Sequence, residues 1–215
     1  MNWHEESVPK ECLGTAQKLG ALAPLKDFYL AGGTALALHL GHRMSVDLDF
    51  FSNQNALGGR ERARLERALA RTVSMRIDEE KDETVHVTAG KTHVSFFYFT
   101  PALLRPAVLW NKIRIASVED IGCMKLSAVV GRGSKKDFYD LYVIATEVIP
   151  LSRLLSLAQE KFPHAADFTA QALRALVYFD DADTEGPLQT RKAFNWSRVK
   201  KFFEAQVRTF SRSFF

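Results

Sequence analysis

The chain has 215 residues, 47% of them hydrophobic and 25% charged, with a formal net charge of +4. That is enough for one large or two small domains around a real core, and the mild basic excess permits a nucleic-acid or polyphosphate partner without requiring one. The two cysteines, Cys12 and Cys123, give neither a disulfide framework nor a C-x-x-C zinc pattern and fit a reducing, cytoplasmic home; no apolar run nears the ~20 residues of a membrane span, and the polar start Met-Asn-Trp-His-Glu-Glu-Ser is not a signal-peptide pattern.

Pro9 to Leu22 reads as a helix, with Leu13, Ala16, Leu19 and Leu22 at helical spacing and Pro24 beyond it. Phe28 to Ala31 is a short apolar strand, followed by a Gly32-Gly33 turn and a helix from Thr34 to Leu40 closed by Gly41. Ser45 to Phe51 is a second strand, and Gly58 to Thr72 an amphipathic helix carrying Arg60, Arg62, Arg64, Arg67 and Arg71. A solvated face partnered by Glu61 and Glu66 is the plainer reading of those arginines, an RNA-binding surface the sharper one. Val73 to Thr100 reads as a meander. Its aromatic strand, His93 to Phe99, is expected in a sheet packed on both sides rather than as a base-stacking platform.

Ile113 to Ala116 reads as a last strand, and Ser117-Val-Glu-Asp120 resembles a capping box with Asp at the fourth position. Helices are expected over 118–130, 135–146 (capped by Ser134), 151–161, 167–178 and 196–208, with an acidic surface loop at 179–187. The organisation is α/β over residues 1–116, then helical over 117–215, the helical part packed on the first.

The chemistry concentrates at Asp47-Leu-Asp49. On a strand, residues i and i+2 share a face, so the two carboxylates project together while Val46, Leu48 and Phe50 point into a core. Carboxylates at an apolar strand are costly unless paired or metal-bound, and Mg²⁺ prefers one or two of them plus phosphate oxygens. The turn at Gly32, Gly33 and Thr34 opens a helix and offers backbone N–H groups to a triphosphate. A second constellation is Lys125, Arg132, Asp137 and Asp140. The cations suit triphosphate charge, and the acids share a helix face. Alone, Lys125 reads as a surface lysine and the two acids as complements of the helix dipole. His39, His42, His86 and His93 form no H-x-x-x-H or H-E-x-x-H pattern and read as core or surface residues.

Gly32-Gly-Thr-Ala-Leu with Arg43-Met-Ser-Val-Asp-Leu-Asp-Phe-Phe51, together with Ile115-Ala-Ser-Val-Glu-Asp-Ile-Gly-Cys-Met-Lys-Leu-Ser-Ala128 and Gly131-Arg-Gly-Ser-Lys-Lys-Asp-Phe-Tyr-Asp-Leu-Tyr142, resembles the AbiEii/AbiGii toxin family of nucleotidyltransferases. The resemblance implies an α/β, polymerase-β-like nucleotidyltransferase domain with a mixed sheet and a helical C-terminal region. It implies Mg²⁺ as cofactor, an NTP as substrate, a tRNA or protein acceptor, and a cognate antitoxin of a toxin–antitoxin or abortive-infection system. Carried over by residue, Gly32, Gly33 and Thr34 match the nucleotide-binding turn, Asp47 and Asp49 the metal pair, Lys125 the triphosphate lysine, and Asp137 the acid of the K/R-D-x-x-D segment. Enzymes of this fold place a third acid on a neighbouring strand as the base. Here Ser95 stands at that place: either Asp137 takes the role of base from the helix, or the acceptor is activated by metal alone, or catalysis is weak, and of these Asp137 is the expectation carried forward. A non-catalytic binding protein and an aminoglycoside-type small-molecule transferase are the alternatives.

Overall fold

A computed structural model describes residues 2–213. It consists of two compact units, Met1–Ser117 and Val118–Phe215. Among the described residues the first unit holds the α-helices α1 (Lys10–Leu19), α2 (Gly32–Leu40) and α3 (Gly59–Ala70). Its strands are β1 (Tyr29–Ala31), β2 (Leu48–Ser52), β3 (Arg76–Lys81), β4 (Thr84–Ala89), β5 (Thr92–Tyr98), β6 (Val108–Trp110) and β7 (Ile113–Ile115). They form one mixed sheet in the order β3-β4-β5-β2-β1-β7-β6, with β2/β5 and β1/β7 parallel and the other pairs antiparallel.

Period-two alternation builds the sheet's core face. Leu48 and Phe50 on β2, Val85 and Val87 on β4, and Val94 and Phe96 on β5 are all buried. Phe50 stacks on Phe96 with centroids 5.2 Å apart, and Phe28 meets Phe96 edge-on at 5.4 Å. The opposite face is only half covered: Asp49, Phe51, Ser95, Phe97 and His86 are half-buried. The aromatic strand is therefore not packed equally on both sides. β3 lies at the sheet's edge and is exposed along its length, and its charged Arg76, Asp78, Glu79, Glu80 and Lys81 suit an edge that must not pair with another chain.

One strand boundary and one whole strand differ most from the sequence pattern. The second strand begins at Leu48 rather than Ser45, and Val46 is exposed, because residues 45–47 run as a loop tied to α2 by side-chain bonds. β6 had no periodic signature of its own. Asn111 and Lys112, with φ of 46° and 67°, supply the left-handed pair that a tight hairpin to β7 requires.

The second unit comprises α4 (Val118–Gly131), α5 (Lys135–Glu147), α6 (Leu151–Lys161), α7 (Phe168–Ala175), α8 (Asp180–Thr184) and α9 (Trp196–Ser213). Ser134 caps α5 as expected, its hydroxyl oxygen accepting the Asp137 N–H. Phe138 anchors the core, with ring centroids 5.1 Å from Phe179, 5.8 Å from Trp196 and 5.7 Å from Phe203.

Asp120, the fourth residue of the Ser117-Val-Glu-Asp pattern, also has a long-range partner. It is fully buried and its Oδ1 lies 2.7 Å from Lys161 Nζ, also buried. The expected acidic loop contains α8 instead. Asp183 accepts bonds from Trp196 Nε1 at 2.5 Å and Lys200 Nζ at 3.0 Å, which hold its carboxyl below the usual range. Among the described residues no single helix is long and apolar enough to cross a membrane. The bent pair α5–α6, with 116° between its helices, owes its apolar content to the core. Each unit buries one free cysteine, Cys12 and Cys123, and burial pushes both thiols up to about 12.

Candidate active site

In the first unit the site is built around the passage from β1 into α2. The Gly-Gly pair is not a separate turn but the first residues of α2. Gly32 has φ +68°, a left-handed conformation, and a Cβ placed there would lie 2.6 Å from Asp49 Oδ2. A Cβ at Gly33 would lie 2.5 Å from an Arg43 Nη atom and 2.9 Å from Ser45 Oγ. The absence of both side chains thus lets the Asp49 carboxylate and the Arg43 guanidinium approach the start of α2. The first amides of a helix have no intrahelical acceptors and carry the positive end of its dipole.

Thr34 is 1% exposed, and its hydroxyl donates to the backbone carbonyl of Asp47 and shares a 3.0 Å hydrogen bond with the Ser45 hydroxyl. Its side chain is therefore engaged in fixing residues 45–47; only its backbone N–H is suited to a phosphate. Asp47 and Asp49 bracket the fully buried Leu48 and are themselves half-buried. The charge of Asp47 also reaches Cys12, adding to the burial that raises that thiol while a Thr92 hydrogen bond pulls the other way. Asp49 pairs with Ala31 on β1 and Ser95 on β5.

Among the described residues no three or more His, Cys, Asp or Glu side chains gather into a metal cage. The donor set suits a different ion. Two half-buried carboxylates, with a cleared space over Gly32, fit Mg²⁺, which keeps waters and completes its shell with substrate phosphate.

Gly32→Ala tests this geometry directly. The methyl group must displace the Asp49 carboxylate, and alanine at positive φ adds strain of about 1 kcal/mol or more. We expect metal-stimulated activity to fall at least about tenfold while circular dichroism keeps its helical signal. Full activity in this variant would mean that Asp49 need not sit against α2.

In the second unit Lys125 Nζ lies 2.6 Å from Asp137 Oδ1 and 2.8 Å from Asp140 Oδ2, with the lysine side chain 9% exposed and the two acids 1% and 0%. Ser134 Oγ donates to Asp137 Oδ2 at 2.5 Å. Lys125 is therefore no surface lysine, and the two acids are not merely complements of a helix dipole. They form a buried cluster that fastens α4 to α5. Both oxygens of Asp137 already accept hydrogen bonds. Arg132 lies on the surface, 70% exposed, 3.8 Å from Asp137 Oδ2. It lines a groove of about 520 Å³ with Gln171, Arg174 and Tyr178.

Residues that the sequence pattern did not single out for the site are Arg43 and His86. Arg43 is buried at 7% exposure, and nothing in the spacing of residues 41–46 marks it. His86 and Ser95 meet only through strand pairing.

Comparison with known proteins supports the fold and the family. Residues 19–214 match the model of the nucleotidyl transferase AbiEii toxin family, type IV toxin–antitoxin system. An uncharacterized protein of Aquifex aeolicus (strain VF5) is 34% identical over 206 residues, covering 94% of this chain and 97% of that one. Among solved structures, MenT4, a nucleotidyltransferase toxin from Mycobacterium tuberculosis H37Rv, superposes with a TM-score of 0.53 at 16% identity, covering 91% of this chain and 84% of MenT4. ANT(2'')-Ia in complex with adenylyl-2''-tobramycin gives a TM-score of 0.51 at 17% identity, covering 73% of this chain and 95% of that one. The chain belongs to the AbiEii nucleotidyl transferase toxin family and is a nucleotidyltransferase of polymerase-β-like fold.

Proposed function

We propose that this nucleotidyltransferase moves an NMP from an NTP to a hydroxyl of tRNA, with Mg²⁺ as cofactor, as the toxin of a cytoplasmic system that includes a cognate antitoxin. The observation that carries the reading is the Asp49 carboxylate lying against Gly32 at the start of α2, whose first amides have no intrahelical acceptors. Asp47 and Asp49 hold the metal. Bound there, Mg²⁺ supplies charge neutralisation at the transferred phosphoryl group. The amides of Gly32, Gly33 and Thr34 orient the triphosphate, and Arg43 beside Gly33 adds a cation. Asp137, with Asp140, holds Lys125 in position.

The acceptor assignment draws on α3. Arg60, Arg64, Arg67 and Arg71 recur at helical spacing on one face, all four are exposed, and none sits at ion-pair distance from an acid among the described residues. Arg62 is instead tied to Glu80 at 2.9 Å and Asp82 at 2.7 Å. At 1.5 Å rise per residue the stripe spans about 16 Å, the reach of two or three backbone phosphates. Replacing the four arginines by glutamine is expected to weaken tRNA binding and make the slope of log affinity against log salt shallower, by roughly 0.7–0.9 per lost contact. Fluorescence anisotropy with labelled tRNA from 50 to 300 mM salt (~sixfold in ionic strength) measures it. An unchanged slope removes α3 from the acceptor surface.

The test of the reading as a whole is label transfer from each of the four α-labelled NTPs with Mg²⁺. Total tRNA, total cell protein and tobramycin serve as separate acceptors. Transfer confined to tRNA is expected; transfer to tobramycin alone would move the assignment to a small-molecule enzyme.

A further inference from the structure

The strand registers place a row of polar side chains beside Asp49. Asp49 on β2 pairs with Ser95 on β5, Ser95 pairs with His86 on β4, and His86 pairs with Glu79 on β3. Residues paired across strands point to the same face, about 4.8 Å apart per strand. Burial agrees, since Leu48, Val94 and Val85 next to them in sequence are all on the buried face.

The row is also bonded. His86 Nδ1 lies 2.9 Å from Ser95 Oγ, and His86 Nε2 lies 3.7 Å from Glu79 Oε2. A proton on Nε2, facing Glu79, leaves Nδ1 to accept from the serine hydroxyl. The Phe97 ring packs edge-on against the imidazole at 5.4 Å and limits its rotation. A groove of about 630 Å³ runs along the row, lined by Ser95, His86 and Glu79 and also by Arg76, Asp78 and His93.

We propose that His86, acting through the Ser95 hydroxyl, is the proton acceptor of the transfer reaction. It stands in for the carboxylate absent from position 95. The proposal rests on the transferase reading above. In the step, the acceptor oxygen forms a bond to the α-phosphorus. The bond from that phosphorus to the bridging oxygen of pyrophosphate breaks, and its electron pair leaves with pyrophosphate. The acceptor's proton passes to Ser95 Oγ as the serine's own proton passes to His86 Nδ1. The imidazolium then faces the Glu79 carboxylate and returns its proton to water. Hydrogen bonding and charge from Lys81, with a smaller contribution from His86, hold the Glu79 carboxyl below its usual range, so it is ionised at working pH.

Three groups of charged or titratable side chains face this chemistry. Glu79, Lys81, Asp78 and Arg76 come from β3, His93 from β5 and Asp49 from β2. His86 is the one joined to Ser95 by a hydrogen bond.

The experiment compares wild type, His86→Ala, Ser95→Ala and the double variant His86→Ala/Ser95→Asp in the label-transfer assay, in the acceptor arm that wild type labels. His86→Ala is expected to lower kcat on the order of 10²-fold, with KM for the NTP within about threefold. The acid limb of the wild-type pH–rate profile should vanish in that variant. Aspartate at position 95 should restore at least about a tenth of wild-type kcat, with an acid limb moved toward the carboxylate range. His86 is half exposed, so the alanine variant keeps its fold, and NTP binding followed by calorimetry verifies this. Transfer by wild type that His86→Ala retains within about threefold, or with its acid limb intact, overturns the relay and leaves the transferase reading standing. Absence of transfer by wild type in every arm overturns both.

Discussion

Asp49→Asn is expected to reduce label transfer on the order of 10³-fold while leaving the melting temperature within a few degrees of wild type. The amide is isosteric with the carboxylate, so it still fits the space over Gly32, but it carries no charge to hold a divalent cation or to offset the ion's own field. Burial argues the same way. A half-buried carboxylate beside fully buried Leu48 and Phe50 is partly desolvated, so a neutral side chain of the same shape is tolerated there by the fold. Asp47→Asn should behave alike, and the double variant should lose little more than either alone, because ligands of one ion act as a unit. Calorimetric titration with Mn²⁺ gives the independent readout: wild type binds in the presence of a non-hydrolysable NTP, and Asp49→Asn does not. Retention of more than about a tenth of the activity in both single variants would sink the assignment of the metal pair.

The largest expected effect on stability lies far from that chemistry in sequence. Lys161→Met leaves the Asp120 carboxylate without its ammonium partner in a site where both side chains are 0% exposed. Removing one member of such a pair costs about 3–5 kcal/mol, since the remaining charge is still desolvated. For a unit of this size that lowers the melting midpoint by well over ~10 °C. The double replacement Asp120→Leu/Lys161→Met removes both charges and should recover most of the loss. Thermal melts of the three variants decide the matter. A single variant as stable as wild type would mean that water reaches the pair. Lys161 ends α6 and Asp120 begins α4, so the ion pair pins the helix crossing at one defined place.

Much of this could be read from the residues because the physics is local. The helices 135–146 and 151–161 were legible within a residue, since Ser134 is an effective cap and Pro150 a sharp start. The Gly-Gly pair and the D-x-D were visible as candidate phosphate and metal groups, and the fold brings Asp49 against Gly32. What the residues could not show is long-range register. His86 and Ser95 are nine positions apart and become neighbours only when β4 pairs with β5 in one register. The buried partner of Asp120 was invisible because Lys161 lies 41 residues away. Val46 looked like a core residue because the alternation continues through residues 45–51. Thr34 broke that pattern by taking the Asp47 carbonyl as its acceptor. β6 carries one buried residue, Trp110, and so has no periodicity to detect.

The two buried thiols have a use of their own. Cys12 and Cys123 are the chain's only cysteines, one in each unit, and both are held protonated by burial at neutral pH. An alkylating reagent can reach either one only when its helix opens. The wild-type protein therefore carries one natural clock per unit, needing no engineered label. The two alkylation rates, separated by peptide mass spectrometry, report the opening free energies of the sheet unit and the helical unit independently in a single sample.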